Sequence, residues 1–193
     1  MQQNFLENKK IAETLTHVFN GTPSIFRYWD EPKENFIDIF ISTGCLSPEF
    51  TSYATIGLSD FPNLVGPNKL DIRVEIIGIY LSDSESFANV LSTAAFCIIN
   101  SQWLCYPTSI FPNILSMYDC SRTMQHLFFT DPFLWEDQLK TLNLETKTVA
   151  WLLAVPISEA EYRYATEHGA EQLENLLAKY QIDVTDINRA SIL

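Results

Sequence analysis

The chain has only six glycines in 193 residues, and they are too scattered to form a loop that cradles phosphate. It has no His-Glu-x-x-His step, no Cys-x-x-Cys pair and no calcium loop, so the common metal motifs are missing. Cys45, Cys97, Cys105 and Cys120 lack metal-like spacing and read as small, mostly buried apolar residues, kept reduced inside a cell. His17, His126 and His168 are too dispersed for sequence to assemble them into a site. No metal and no cofactor is expected. The longest apolar run, Val149 to Ile157, falls far short of the roughly 20 residues a membrane helix needs. Met1 to Lys10 lacks the basic end and apolar core of a secretory signal, so the expected location is the cytoplasm, away from membranes. Bases are scarce as well: 12 against 24 acids, for a net charge of −12. Such a chain repels phosphates, which excludes direct nucleic-acid binding. The charge serves either solubility or a negative face that speeds encounter with a basic partner.

Apolar residues make up 47% of the chain and charged residues 19%, which is the balance of a compact domain and not of a disordered one. One domain over 1–193 is expected: an N-terminal helix at 6–20, a core over about 25–157, and C-terminal helices with a tail at 158–193. Ile11, Leu15, Val18 and Phe19 share a helical face, with Gly21 as a stop signal. Phe36–Ile41, Tyr53–Leu58 and Ile72–Ile76 read as strands, the last with its two charges on a wet face. Phe87, Val90, Leu91, Ala94, Ala95, Ile98 and Ile99 give a wide helical stripe, with Ser82 and Glu85 as a capping box. The 149–157 run suits a central strand. Ser158 and Glu161 make a second capping box, and Leu173, Leu176, Leu177 and Tyr180 mark a final helix. Strands in the middle and helices at both ends argue α+β, with a mixed, largely antiparallel sheet flanked by helices.

Candidate chemistry is thin. Cys105 with His126 would make a nucleophile and base, although a buried, inert cysteine is the commoner case. Gly57-Leu-Ser59 lacks the second glycine of a nucleophile elbow, because Asp60 stands there. No catalytic residue is assigned, and the chain is not expected to be an enzyme. Asp60 suits a turn cap or a partner contact. Asp131, Glu136 and Asp137 surround Phe133, Leu134 and Trp135. Those aromatics either form an acid-ringed anchor for a basic protein or pack inward. Glu159, Glu161, Glu167, Glu171 and Glu174 read as the wet face of the last helices.

Three linked stretches carry a family resemblance. They are Ser52-Tyr-Ala-Thr-Ile-Gly-Leu-Ser-Asp60, Arg122-Thr-Met-Gln-His-Leu-Phe-Phe-Thr-Asp-Pro132, and Val155 to Tyr162 continuing through Glu167-His-Gly-Ala170 to Asp186-Ile-Asn-Arg189. In this order they resemble the suppressor-of-fused domain family, over nearly the whole chain from about Ile25. The resemblance implies a mixed sheet between helices. Animal members are regulators that grip an extended peptide between two domains, whereas this chain spans only the first. Lys147-Thr-Val-Ala-Trp151, Ala154-Val-Pro-Ile-Ser158 and Phe133-Leu-Trp-Glu136 are similar to bacterial stand-alone members, which implies an antitoxin or immunity protein. The implied partner is a cognate polymorphic toxin, taken as a basic nuclease domain. The alternative is a general peptide- or protein-binding adaptor that adds a strand at a sheet edge. The resemblance places that contact at Ile114 to Asp119, with Tyr118 and Asp119 as the aromatic and the carboxylate. The same residues also suit a plain sheet strand.

Overall fold

A computed structural model describes residues 2–65, 70–71, 73–81 and 85–193, with the backbone alone at 65, 70, 71, 85, 136 and 137. Ile72, Ser82 and the side chain of Glu85 lie outside the described residues, and with them the expected Ser82–Glu85 capping box.

The first helix, α1 (Gln2–Phe19), buries Ile11, Leu15, Val18 and Phe19, the residues its periodicity marks. It ends at Asn20, whose φ of 48° is left-handed, with no glycine at that position. Gly21 serves a different purpose. A Cβ there would lie 2.3 Å from the Thr43 carbonyl oxygen, so only glycine lets the two backbones approach.

The strands are β1 (Thr22–Trp29), β2 (Phe36–Thr43), β3 (Phe50–Ile56), β4 (Leu64–Val65), β5 (Leu70–Asp71) and β6 (Arg73–Leu81). Helix α2 (Glu85–Ser101) follows, then β7 (Ile110–Phe111), β8 (Met124–Thr130), β9 (Leu142–Asn143) and β10 (Thr148–Ser158). Helices α3 (Glu159–His168) and α4 (Ala170–Lys179) precede the tail. The main sheet runs β1-β2-β3-β6-β10-β8-β7, with β9 also on β10, while β4 and β5 pair separately. Among the described residues β6 and β10 pair in parallel, and the other ladders are antiparallel. The fold is therefore α+β around a mixed, largely antiparallel sheet.

Both faces of this sheet are covered. On one, Phe87, Val90, Leu91, Ala94 and Ile98 of α2 pack with Ile37, Ile39, Tyr53, Ile76 and Tyr80. On the other, Ile11, Leu15 and Phe19 of α1 and Leu173 and Leu177 of α4 pack with Phe40, Ala54, Ile77 and Val155. The two-residue period of β10 sends Leu152 and Ala154 to the first cluster, and Leu153, Val155 and Ile157 to the second. Double coverage corrects the expected wet face of the 73–76 strand. Val74 to Tyr80 are all buried, and Glu75 lies wholly inside.

The polar tail is fixed to the body. Leu81 N–H donates to the Thr185 carbonyl at 3.1 Å, and the Ser121 hydroxyl to the Ile187 carbonyl at 2.6 Å. Thr123 donates to the Arg189 carbonyl at 3.1 Å.

Candidate partner-binding surface

The Gly-Leu-Ser-Asp step is a short 3-10 turn, Leu58–Asp60, entered through Gly57 at φ 95°. Glu75 organises it from β6. Its carboxylate accepts from Thr55 Oγ1 at 2.6 Å, Ser59 Oγ at 2.7 Å, and the backbone N–H groups of Gly57, Leu58 and Ser59 at 3.0, 3.3 and 3.1 Å. Burial pushes the Glu75 carboxyl above its ordinary range despite the Thr55 and Ser59 hydrogen bonds. Asp60 is neither a turn cap nor a free contact. It accepts from Lys147 Nζ at 2.5 Å and from Asn8 Nδ2 at 2.9 Å, tying α1 and the loop before β10 to this turn. Glu7 extends the junction, accepting from Thr146 N–H and Oγ1, both at 2.7 Å.

The second motif centres on His126 in β8. Its Nδ1 accepts from Asn113 N–H at 2.9 Å, so Nε2 carries the proton and faces Glu159 at 3.1 Å. Burial lowers the His126 pKa, and the Glu159 hydrogen bond and charge oppose this without overcoming it. The ring is neutral at pH 7. Both nitrogens are engaged away from Cys105, which is itself fully buried with its thiol pushed up by desolvation. Cys105 is thus the buried cysteine of the commoner case, and it makes no nucleophile–base pair with His126. Among the described residues, no group of three or more His, Cys, Asp or Glu side chains could hold a metal ion.

The third motif closes on itself. Ser158 and Glu161 form the expected capping box at the start of α3. Glu161 does not face solvent; this corrects its place on the wet face. Arg189 grips it with Nη1 to Oε1 at 2.7 Å and Nη2 to Oε2 at 2.8 Å, while Nη2 also donates to the Pro156 carbonyl at 3.0 Å. Ile192 N–H donates to the same carboxylate at 3.1 Å. Burial raises the Glu161 pKa, but the Arg189 hydrogen bonds and charge outweigh it and hold the group below its ordinary range. Glu174 is half-buried and meets the Thr130 hydroxyl.

The expected contact residues divide between the two sides of the sheet. Ile114 to Asp119 is not a strand: Leu115–Met117 is a 3-10 turn, and the sheet at that side ends in the two-residue β7. Tyr118 is half-buried against the α2 cluster, its hydroxyl on that of Thr93. Asp119 is exposed at a left-handed φ of 48°. On the opposite side, Asp131 is exposed and Phe133 is 50% exposed, beside a groove of about 330 Å³ lined by Phe128, Val155, Leu177 and Ile182. Trp135 corrects the expected aromatic anchor. It is 1% exposed, and its ring lies 5.1 Å from that of Phe19 in the core. The side chains of Glu136 and Asp137 lie outside the described residues; their backbone belongs to the 3-10 helix Phe133–Gln138.

Sequence reasoning missed the most exposed apolar group on the sheet. Ile25, Phe26 and Trp29 of β1 and Phe36 of β2 are 50, 53, 50 and 43% exposed. Their sequence signals are the aromatic cluster Phe26-Arg-Tyr-Trp29, which with Pro23 suits a short extended piece, and the pair Trp29 and Phe36 flanking a polar turn.

Comparison with known proteins agrees with these motifs. A family model described as Suppressor of fused protein (SUFU) matches residues 33–190. A protein of Bacillus subtilis (strain 168) named Immunity protein YqcF is 45% identical over 187 residues, covering 97% of each chain. The crystal structure of a putative suppressor of fused homolog from Neisseria gonorrhoeae FA 1090 superposes with a TM-score of 0.73 at 18% identity, over 96% of each chain. Drosophila Suppressor of Fused shares the fold at TM-score 0.59 and 16% identity; the match covers 90% of this chain and 46% of that one.

Proposed function

This chain belongs to the suppressor of fused family, and we propose that within it the chain acts as an immunity protein, or antitoxin. It binds a cognate toxin and neutralises it through protein–protein contact. The observation that carries this reading is the 45% identity to a protein named as an immunity protein, over 97% of both chains.

The internal chemistry supports a binding role. Glu75, Glu161, Asp60 and His126 are spent on holding turns, α1 and the tail together. The net charge of −12 supports a basic partner, and a nuclease is the natural choice, because its active site must attract phosphate. Charge of this size speeds encounter and screens within a Debye length of about 8 Å at physiological salt. Such a protein acts where its toxin would do harm, in the cytoplasm. Among the described residues no helix is long and apolar enough to cross a membrane.

Co-expression tests the reading. Cells that make the product of the neighbouring toxin gene should survive when they also make this chain, and the two should co-purify. Death despite full expression, without a complex, would remove the proposal.

A further inference from the structure

The main sheet ends on one side at β1, which pairs with β2 through eight consecutive residues, from Thr22 opposite Thr43 to Trp29 opposite Phe36. Among the described residues the other edge of β1 carries no ladder, so alternate residues of the strand turn their backbone polar groups outward. Edge strands are usually kept short, bulged or studded with charge to prevent pairing with another chain. This one is unbulged over eight residues, with one proline at its start, Pro23, and one charge, Arg27, that is paired with Asp38; every residue except Tyr28 is exposed.

Its side chains form an ordered shelf. Ile25, Arg27 and Trp29 lie opposite Phe40, Asp38 and Phe36, all on the α1 side of the sheet. Arg27 donates to both Asp38 oxygens, at 2.8 and 2.9 Å, and its guanidinium carbon sits 3.9 Å over the Phe36 ring. That ring is 5.3 Å from Trp29. Trp and Arg dominate binding hot spots, and side chains fixed in advance lose less entropy when a partner arrives. The turn between the strands exposes Glu31 and Glu34 beside a single base, Lys33.

We propose that the free edge of β1 is the docking edge for an extended segment of the toxin. The segment adds one strand to the sheet, seats apolar side chains on the Ile25–Trp29–Phe36 shelf, and places a basic residue against Glu31 and Glu34. The occupant is a basic partner and not a second copy, because two copies bring a charge of −12 each to the contact. The proposal rests on the immunity reading and names its surface.

The test compares wild type with the double variant Ile25→Lys and Trp29→Lys, using the purified product of the neighbouring toxin gene and isothermal titration calorimetry. Both positions are half-exposed, so the variant should fold; circular dichroism and melting temperature check this. Affinity should fall at least ~30-fold, while Tyr180→Lys at another exposed site changes it by less than about twofold. In wild type, hydrogen exchange at 24–29 should slow in the complex, which decides the matter even if the variant fails to fold. A wild-type complex that leaves these amides unprotected and tolerates the double variant overturns the edge proposal alone. Absence of any wild-type complex overturns the immunity reading, and the edge with it. Sedimentation that shows a dimer dissolved by the variant would assign the edge to a second copy and also refute the proposal.

Discussion

Replacing Arg189 by Met should be among the most costly single changes away from the apolar core. The Arg189 guanidinium makes two bonds of 2.7 and 2.8 Å to Glu161, one of 3.0 Å to the Pro156 carbonyl and one of 3.1 Å to the Ala190 carbonyl. Its removal leaves a fully buried carboxylate that, among the described residues, keeps the N–H groups of Ser158 and Ile192 as close donors. Breaking a buried pair from one side costs about 3–5 kcal/mol. The two remaining donors place Arg189→Met near the lower end, at about 3 kcal/mol. With a urea slope of about 2 kcal/mol/M, the midpoint should fall by about 1.5 M. Tryptophan fluorescence across a urea series reads this directly. Adding Glu161→Gln to Arg189→Met removes the stranded charge and should recover at least ~1 kcal/mol. The Glu161 pKa is lowered in the folded state, so the clasp stabilises fully above the ordinary carboxyl value of 4.5 and loses its effect as pH falls through the folded value. The gap between wild type and Arg189→Met should therefore close in acid. A midpoint unchanged within about 0.25 M, or strict additivity of the double variant, would refute the reasoning.

Three further outcomes follow from the same structure. Trp135→Ala should cost about 3–5 kcal/mol and Phe133→Ala less than about 1, because one ring fills the core and the other faces solvent; equal losses in thermal denaturation would contradict their placement. Glu75→Gln puts an amide donor among hydroxyl and N–H groups that donate to a carboxylate, and should lose about 1–3 kcal/mol in the same assay; an unchanged melting temperature would show that the turn does not depend on Glu75. His126 should titrate below its ordinary value of 6.5 when followed by NMR, with stability held above that value and declining as pH falls toward the folded pKa; a raised value would contradict the neutral, Nε2-protonated ring.

The helices were legible because their apolar spacing is intrinsic to the chain: Ile11, Leu15 and Phe19 in α1, and Leu173 and Leu177 in α4. The capping box was legible because Ser158 and Glu161 are three residues apart. What completes it is Arg189, 28 residues along the chain from Glu161, and no local pattern announces such a partner. Glu75 was misplaced for a related reason. Alternation correctly sets it opposite Val74 and Ile76, but it shares the face of Ile77 and Ile79, which α1 covers. Local pattern gives the face, whereas burial depends on what is laid over it. The acid-flanked aromatics show the same limit, since a single 3-10 turn sends Trp135 into the core and leaves Phe133 outside. The β1 shelf was hidden because an edge strand is defined by a missing neighbour, which only the assembled sheet reveals.

A calorimetric titration of the purified chain with the product of the neighbouring toxin gene is the sharpest test of the proposed immunity function. A saturable complex should form with a dissociation constant of about 10 nM or tighter at physiological salt, weakening as salt rises because the encounter is charge-assisted. Titration to high micromolar concentration without binding would contradict it.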